Sequence, residues 1–229
     1  MAGAFDIAVD GQEHHLRGRR DVFDGPTDTL YLPPASTFSI TAPDGGRVAF
    51  TSARASGQYP VQFLAAEDAP IARRGAGTMS RMAHEYLMRT GTLRSEKLMA
   101  LEVYTPGGNW SSYPPHKHDV DSEDETQLEE VYYFELEGEG ERPAAAYQRV
   151  FSSDDRPIDV LAEIHSGDVV LVPYGWHGPA VAPPGNDLYY LNVMAGNGDL
   201  NNWKFTDLPS AAWVRTSWEG MPFDPRIAE

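Results

Sequence analysis

PPHKHD (Pro114–Asp119), EEVYYF (Glu129–Phe134) and GWH (Gly175–His177) put three imidazoles and a carboxylate onto segments that read as β-strands. His116 and His118 stand two residues apart, and on a strand such residues point to the same face. Glu130 starts a run of β-branched and aromatic residues, and His177 follows the apolar run Val169–Val172. Glu129, one position out of phase with Glu130, is expected to face the other way, and the same alternation turns Lys117 away from its two histidine neighbours. Three neutral histidine nitrogens and one carboxylate suit a divalent transition metal with coordination positions left for substrate. His116, His118, Glu130 and His177 are therefore the expected ligands. This donor set does not choose among Zn, Mn, Fe, Co and Ni.

Working outward, 18 Pro and 21 Gly punctuate many short β-like runs, the pattern of an all-β sandwich or barrel. Early strands are expected at 5–9, 29–32, 37–41 and 48–52, the last two joined as a hairpin through Asp44-Gly45-Gly46. APIARRGAGT (Ala69–Thr78) reads as a linker, and 81–94 is ambiguous, with a short helix allowed. Later strands are expected at 97–104, 112–118, 130–136, 145–151, 169–172 and 188–194. Loop signals lie between them, among them 138–143 and 153–157. On the 188–194 strand the more polar set Tyr190, Asn192 and Met194 is expected inside. The tail lacks sustained helical periodicity and is expected to wrap the barrel.

At 229 residues the chain can bury a substantial core. Its formal net charge of -16 disfavours nucleic acid and anionic lipid as partners, and it repels an anionic substrate at long range. A negatively charged ligand therefore requires a locally placed cation in the pocket. Cysteine is absent, so disulfides and thiolate ligands are excluded and any metal is held by nitrogen and oxygen. No apolar run reaches membrane-spanning length and no leader pattern opens the chain, so a cytoplasmic protein is expected.

GDVVLVPYGWH (Gly167–His177) resembles the second metal-binding motif of cupins, with a turn, an apolar strand, a Pro-x-Gly loop and a histidine. Two departures stand out. A long acidic loop separates His118 from Glu130, and only Trp176 lies between Gly175 and His177. The longer strings EVYTPGGNWSSYPPHKHD (102–119), LEEVYYF (128–134), YQRVF (147–151), VVLVPYGWH (169–177), DLYYLNVMAG (187–196) and NWKFTDLPSAAWVRTSW (202–218) are similar to the 5-deoxy-glucuronate isomerase family. The resemblance spans nearly all of 75–229 and, more weakly, the first 70 residues. It implies a bicupin, two β-barrel or jelly-roll units. Residues 1–72 would be an N-terminal unit lacking its first strands and 73–229 a metal-binding cupin barrel with a C-terminal tail. Such an unfinished first barrel makes a homo-oligomer an expected partner state. Gly175-Trp176-His177-Gly178 also departs from the family's Gly-Tyr-His-Pro, which removes a phenol hydroxyl beside a ligand.

The family's implied reaction is an aldose–ketose isomerisation of a small sugar acid in myo-inositol catabolism, 5-deoxy-D-glucuronate to 5-dehydro-2-deoxy-D-gluconate. A metal on the four ligands would be the electrophile that stabilises the enediolate. Glu125, among acidic neighbours in a family-like string, is the expected base. Arg149 in YQRVF is the expected grip on the substrate carboxylate, and Tyr132 and Tyr190 are expected to line the pocket. Competing expectations are a metal-dependent oxygenase, which would consume O₂, and a cupin that binds a sugar acid without turnover, since this fold carries many activities.

Overall fold

In the computed structural model, described for residues 1–57, 59–88, 92–138, 140, 144–153, 156–196 and 203–227, the chain is nearly all β. The expected loops at 138–143 and 153–157, the stretch 81–94 and the string beginning at Asn202 lie partly outside these residues.

Two six-stranded sheets face each other in the C-terminal two thirds. One runs β14–β11–β16–β8–β7–β6, from Val169–Val172 (β14), Glu129–Leu136 (β11), Leu188–Ala195 (β16), Leu98–Thr105 (β8), Arg81–Glu85 (β7) and Ile71–Arg74 (β6). The other runs β13–β12–β15–β10–β17, with β9 also on β15. Its strands are Arg156–Ile164 (β13), Ala146–Ser153 (β12), Trp176–Val181 (β15), His116–Lys117 (β10), Thr206–Asp207 (β17) and Trp110–Ser111 (β9). The core between them draws Met99, Leu101, Val103, Tyr132 and Phe134 from the first sheet and Ala146, Val150, Ile164 and Ala180 from the second. Period-two alternation produces this: on β12, Ala146, Gln148 and Val150 are buried while Tyr147 is exposed. This is the jelly-roll arrangement expected for a cupin.

The N-terminal residues form a smaller β layer. Phe5–Val9 (β1) lies between Gln12–Leu16 (β2) and Phe38–Thr41 (β4), and Thr29–Tyr31 (β3) pairs with Gln62–Leu64 (β5). This layer packs against the outer face of the first barrel sheet. There Val22 joins Tyr104 of β8 and Tyr189 of β16 in a separate buried cluster.

Three local expectations are corrected. The hairpin of 37–41 with 48–52 does not form, because β4 pairs with β1 instead and 48–52 carries no strand. Val48 and Phe50 are left largely exposed, with Phe50 stacked on Phe38 of β4 at 5.6 Å between ring centroids. Ala69–Thr78 is not a linker, since Ile71–Arg74 is the edge strand β6 paired with β7 and crosses position 72. Residues 81–85 are strand rather than helix, placed between β6 and β8. The long strand β13 and the ligand strand β15 were not expected from the sequence, nor were the shorter β2, β5, β9 and β17. The tail adds β17 to β10 and ends in a five-residue helix, Trp213–Ser217 (α1), with short 3-10 turns on either side. No helix of the described residues is long and apolar enough to cross a membrane.

Candidate metal centre

The site lies between the two sheets, and strand pairing assembles it. His116 on β10 is directly opposite His177 on β15, which in turn faces Val150 on β12. Across the barrel, Glu130 on β11 is flanked by Val172 and Met194. Gly178 follows His177 at φ +101°, and a Cβ there would sit 1.9 Å from the Ser112 carbonyl oxygen. Only glycine lets β15 approach the 111–112 segment this closely.

His118, Glu130 and His177 present ligand atoms that all lie within 4.8 Å of one another, and all three side chains are buried. Glu130 Oε2 is 3.0 Å from His118 Nε2 and 2.9 Å from His177 Nε2. His116 lies outside that tight group, but its ring centroid is 4.4 Å from that of His177, and it lines the same cavity.

A shared feature of the three imidazoles defines what they can do. His116 Nδ1 is 3.1 Å from the Pro114 carbonyl, His118 Nδ1 is 3.3 Å from the Leu128 carbonyl, and His177 Nδ1 is 3.3 Å from the Gly175 carbonyl. A carbonyl oxygen only accepts, so each neutral ring carries its proton on Nδ1 and turns an Nε2 lone pair inward. Facing lone pairs and an ionised carboxylate repel one another unless a cation or proton lies between them. His177 Nε2 makes no hydrogen bond despite its closeness to Glu130. This is the donor chemistry of a divalent metal site, and the residues fit such an ion.

The electrostatics agree with that reading. Burial, joined by the neighbouring His177, holds His116 well below its ordinary value and so keeps it neutral. Burial alone would raise Glu130, but His177 and His118 in their protonated form bring it well below the usual carboxylate range. Glu130 in turn raises His118 against its burial, so the carboxylate favours a positive charge, proton or metal, between it and the rings. Asn192 of β16 donates through its amide to Glu130 Oε1, which fixes the carboxylate plane.

Tyr132 and Tyr190 line the cavity, with ring centroids 5.1 Å apart. The Tyr132 hydroxyl is 3.1 Å from Ser112 Oγ and that of Tyr190 is 2.6 Å from Ser111 Oγ, a connected set of hydroxyls on one wall. Asn192 and Met194 share this face as the alternation predicts, and Glu129 is exposed.

Two expected residues are not brought to the cavity. Both Glu125 oxygens bond Lys117 Nζ, at 3.0 and 2.9 Å, and Oε1 also accepts the Asp119 and Val120 amides. Glu125 thus closes the acidic loop on itself. Arg149 faces outward on β12 and pairs with Asp159 at 2.5 Å. The inward polar residue of YQRVF is its neighbour Gln148, fully buried, whose amide nitrogen and oxygen both lack a partner. Strand phase alone would have chosen it. Trp176 alternates with His177, so it too points out of the cavity, where Lys117 Nζ sits 5.6 Å from its ring. The change from the family's tyrosine therefore falls outside the pocket.

Sequence inspection missed Arg81, which lines the cavity from β7. Nothing in its local sequence signals this, because its strand carries no apolar alternation.

Comparisons with known proteins agree with this geometry. The chain is 42% identical over 203 residues to a 5-deoxy-glucuronate isomerase of Geobacillus kaustophilus, covering 87% of this chain and 70% of that protein. A protein of the same name from Bacillus subtilis strain 168 is 42% identical over 199 residues, with 86% and 70% covered. The crystal structure of an IolB-like protein from Salmonella typhimurium LT2 superposes with a TM-score of 0.79 at 32% identity, covering 93% of this chain and 79% of that one. The KduI/IolB family profile matches residues 1–214, and the chain belongs to that family.

Proposed function

We propose that this chain is an aldose–ketose isomerase that converts 5-deoxy-D-glucuronate to 5-dehydro-2-deoxy-D-gluconate, a reaction of myo-inositol catabolism. The observation that carries the reading is the set of three histidines, each tied at Nδ1 to a carbonyl, around one buried carboxylate. Its presence in a chain so similar to proteins named for this activity supports the substrate assignment.

His116, His118, Glu130 and His177 would hold a divalent transition metal. When bound, such an ion supplies Lewis-acid polarisation of a carbonyl oxygen, the electrophilic assistance that isomerisation requires. The remaining work falls to the chain. Backbone carbonyls lock the imidazole tautomers, and Asn192 holds Glu130 in one orientation. Tyr132 and Tyr190, bonded to Ser112 and Ser111, present hydroxyls that can orient those of an open-chain sugar. Leu101, Val103, Met194 and Trp203 line the rest and exclude water from the reacting carbons. Glu125, held by Lys117 and two loop amides, organises the segment that follows His118.

The test is ketose formation from 5-deoxy-D-glucuronate by purified protein, before and after chelation and metal restoration. We expect turnover that disappears with chelator and returns with metal. Absence of turnover by folded, metal-loaded protein would contradict the assignment.

A further inference from the structure

We propose that Arg81 is the cation that anchors the carboxylate of the sugar acid, an inference that rests on the isomerase reading above.

The argument starts from β7. Ala83 pairs with Val103 and lies in the barrel core, so Arg81, two residues earlier, leaves the backbone on the same inner side. Its side chain lines the cavity together with His116, His118, Glu130, Tyr132 and Tyr190. The bonds it makes go to neutral groups, with Nη1 donating to the Met79 carbonyl at 3.1 Å and the Tyr113 carbonyl at 3.4 Å. The Trp218 ring lies 5.8 Å away. Among the described residues it forms no ion pair.

Arg74 and Arg149 are already committed to carboxylates of the chain. Arg74 also lines the cavity, but Glu85 takes it, and Arg149 pairs with Asp159 outside the barrel. Burial draws Arg81 down to about 10, the mark of a charge its surroundings leave uncompensated. A partly buried guanidinium without a counter-ion is costly, and a carboxylate is the partner its forked donors match. The formal charge of -16 makes this cation more telling, because the chain as a whole repels the substrate this site is read to take. With the carboxylate at Arg81, the carbonyl end of a short sugar chain is left to the wall that carries His118 and Glu130.

Binding separates this claim from turnover. Calorimetric titration of the metal-loaded protein with D-glucuronate and with D-glucose, which lacks the carboxylate, measures acid preference directly. We expect wild type to prefer the acid, and Arg81→Gln to lose about 10- to 100-fold of that preference with glucose affinity unchanged. In steady state the same variant should raise KM for 5-deoxy-D-glucuronate more than it lowers kcat. Arg81→Lys, which keeps the charge and loses the fork, should fall between, and it decides the matter if Arg81→Gln fails to fold. A wild type indifferent to the carboxylate, or folded variants that keep the full acid preference, would overturn the proposal. If wild type prefers the acid through Arg81 yet does not isomerise 5-deoxy-D-glucuronate, the functional reading fails and the anchor stands.

Discussion

Glu130 and Glu102 are both buried carboxylates on the same six-stranded sheet, one facing into the barrel and the other out toward the N-terminal layer. Their surroundings differ in kind. Glu102 on β8 is saturated: Oε2 accepts from Arg19 Nη1 at 2.9 Å, Tyr86 at 2.6 Å and Tyr104 at 3.2 Å, while Oε1 accepts from Tyr189 at 2.7 Å and from Arg19 Nη2. Glu130 instead takes one amide donor, Asn192, on Oε1, while its Oε2 faces two imidazole Nε2 atoms, of His118 at 3.0 Å and His177 at 2.9 Å, whose rings spend their Nδ1 protons on carbonyls. A buried acid surrounded by donors is a structural clamp. One whose free oxygen converges with two imidazole nitrogens is a site for a cation. Burial and a depressed pKa are common to both, so neither alone would have separated them.

The contrast can be broken most forcefully at Glu130. Glu130→Gln should lower kcat by at least about 10³-fold, because the metal's share of carbonyl polarisation is several kcal/mol. Its thermal unfolding should change far less than its rate. Glu102→Ala should do the reverse. It leaves Arg19 buried without its counter-charge, at a cost of roughly 3–5 kcal/mol in denaturant unfolding, while the folded fraction keeps its kcat. Acid should find the clamp as well. Burial alone would raise Glu102, but His84, Arg19 and Tyr86 bring it down to about 2 from its ordinary 4.5. A depressed acid contributes stability that is fully present above the unfolded value and lost as pH falls toward the folded one. Stability should therefore drop between pH 4.5 and 2, and Glu102→Gln should flatten that part of the profile.

Smaller effects sharpen the same comparison. Asn192→Ala frees Glu130 to rotate and should weaken metal affinity by about 10- to 100-fold, read by competition with a chromophoric chelator. At the low end, Arg149→Gln removes an ion pair whose Asp159 partner is largely exposed, so stability should shift by less than about 1 kcal/mol with no change in KM.

How much of this was legible beforehand follows from range along the chain. The phase of β11 was readable because Glu130, Tyr132 and Phe134 alternate with the exposed Glu129 and Val131 and the half-buried Tyr133, and the inward set Tyr190, Asn192 and Met194 followed from polarity. His116 and His118 announced themselves by spacing. The Glu102 clamp did not, since its main partner, Arg19, lies 83 residues away and nothing local joins them. Arg81 was hidden for a related reason: β7 is made a strand by its neighbours β6 and β8 rather than by its own pattern. Gln148 was within reach of strand phase, but the more reactive residue beside it, Arg149, drew attention to the outward face. Glu125 looked available because its acidic neighbours are near in sequence, whereas the folded loop gives it to Lys117.

The most direct test of the account is metal stoichiometry, measured by elemental analysis on folded wild type, Glu130→Gln and Glu102→Gln after equilibration with a divalent transition metal and desalting. The account predicts one ion per chain in wild type and in Glu102→Gln, and none retained in Glu130→Gln. Retention by Glu130→Gln, or loss by a folded Glu102→Gln, would contradict it.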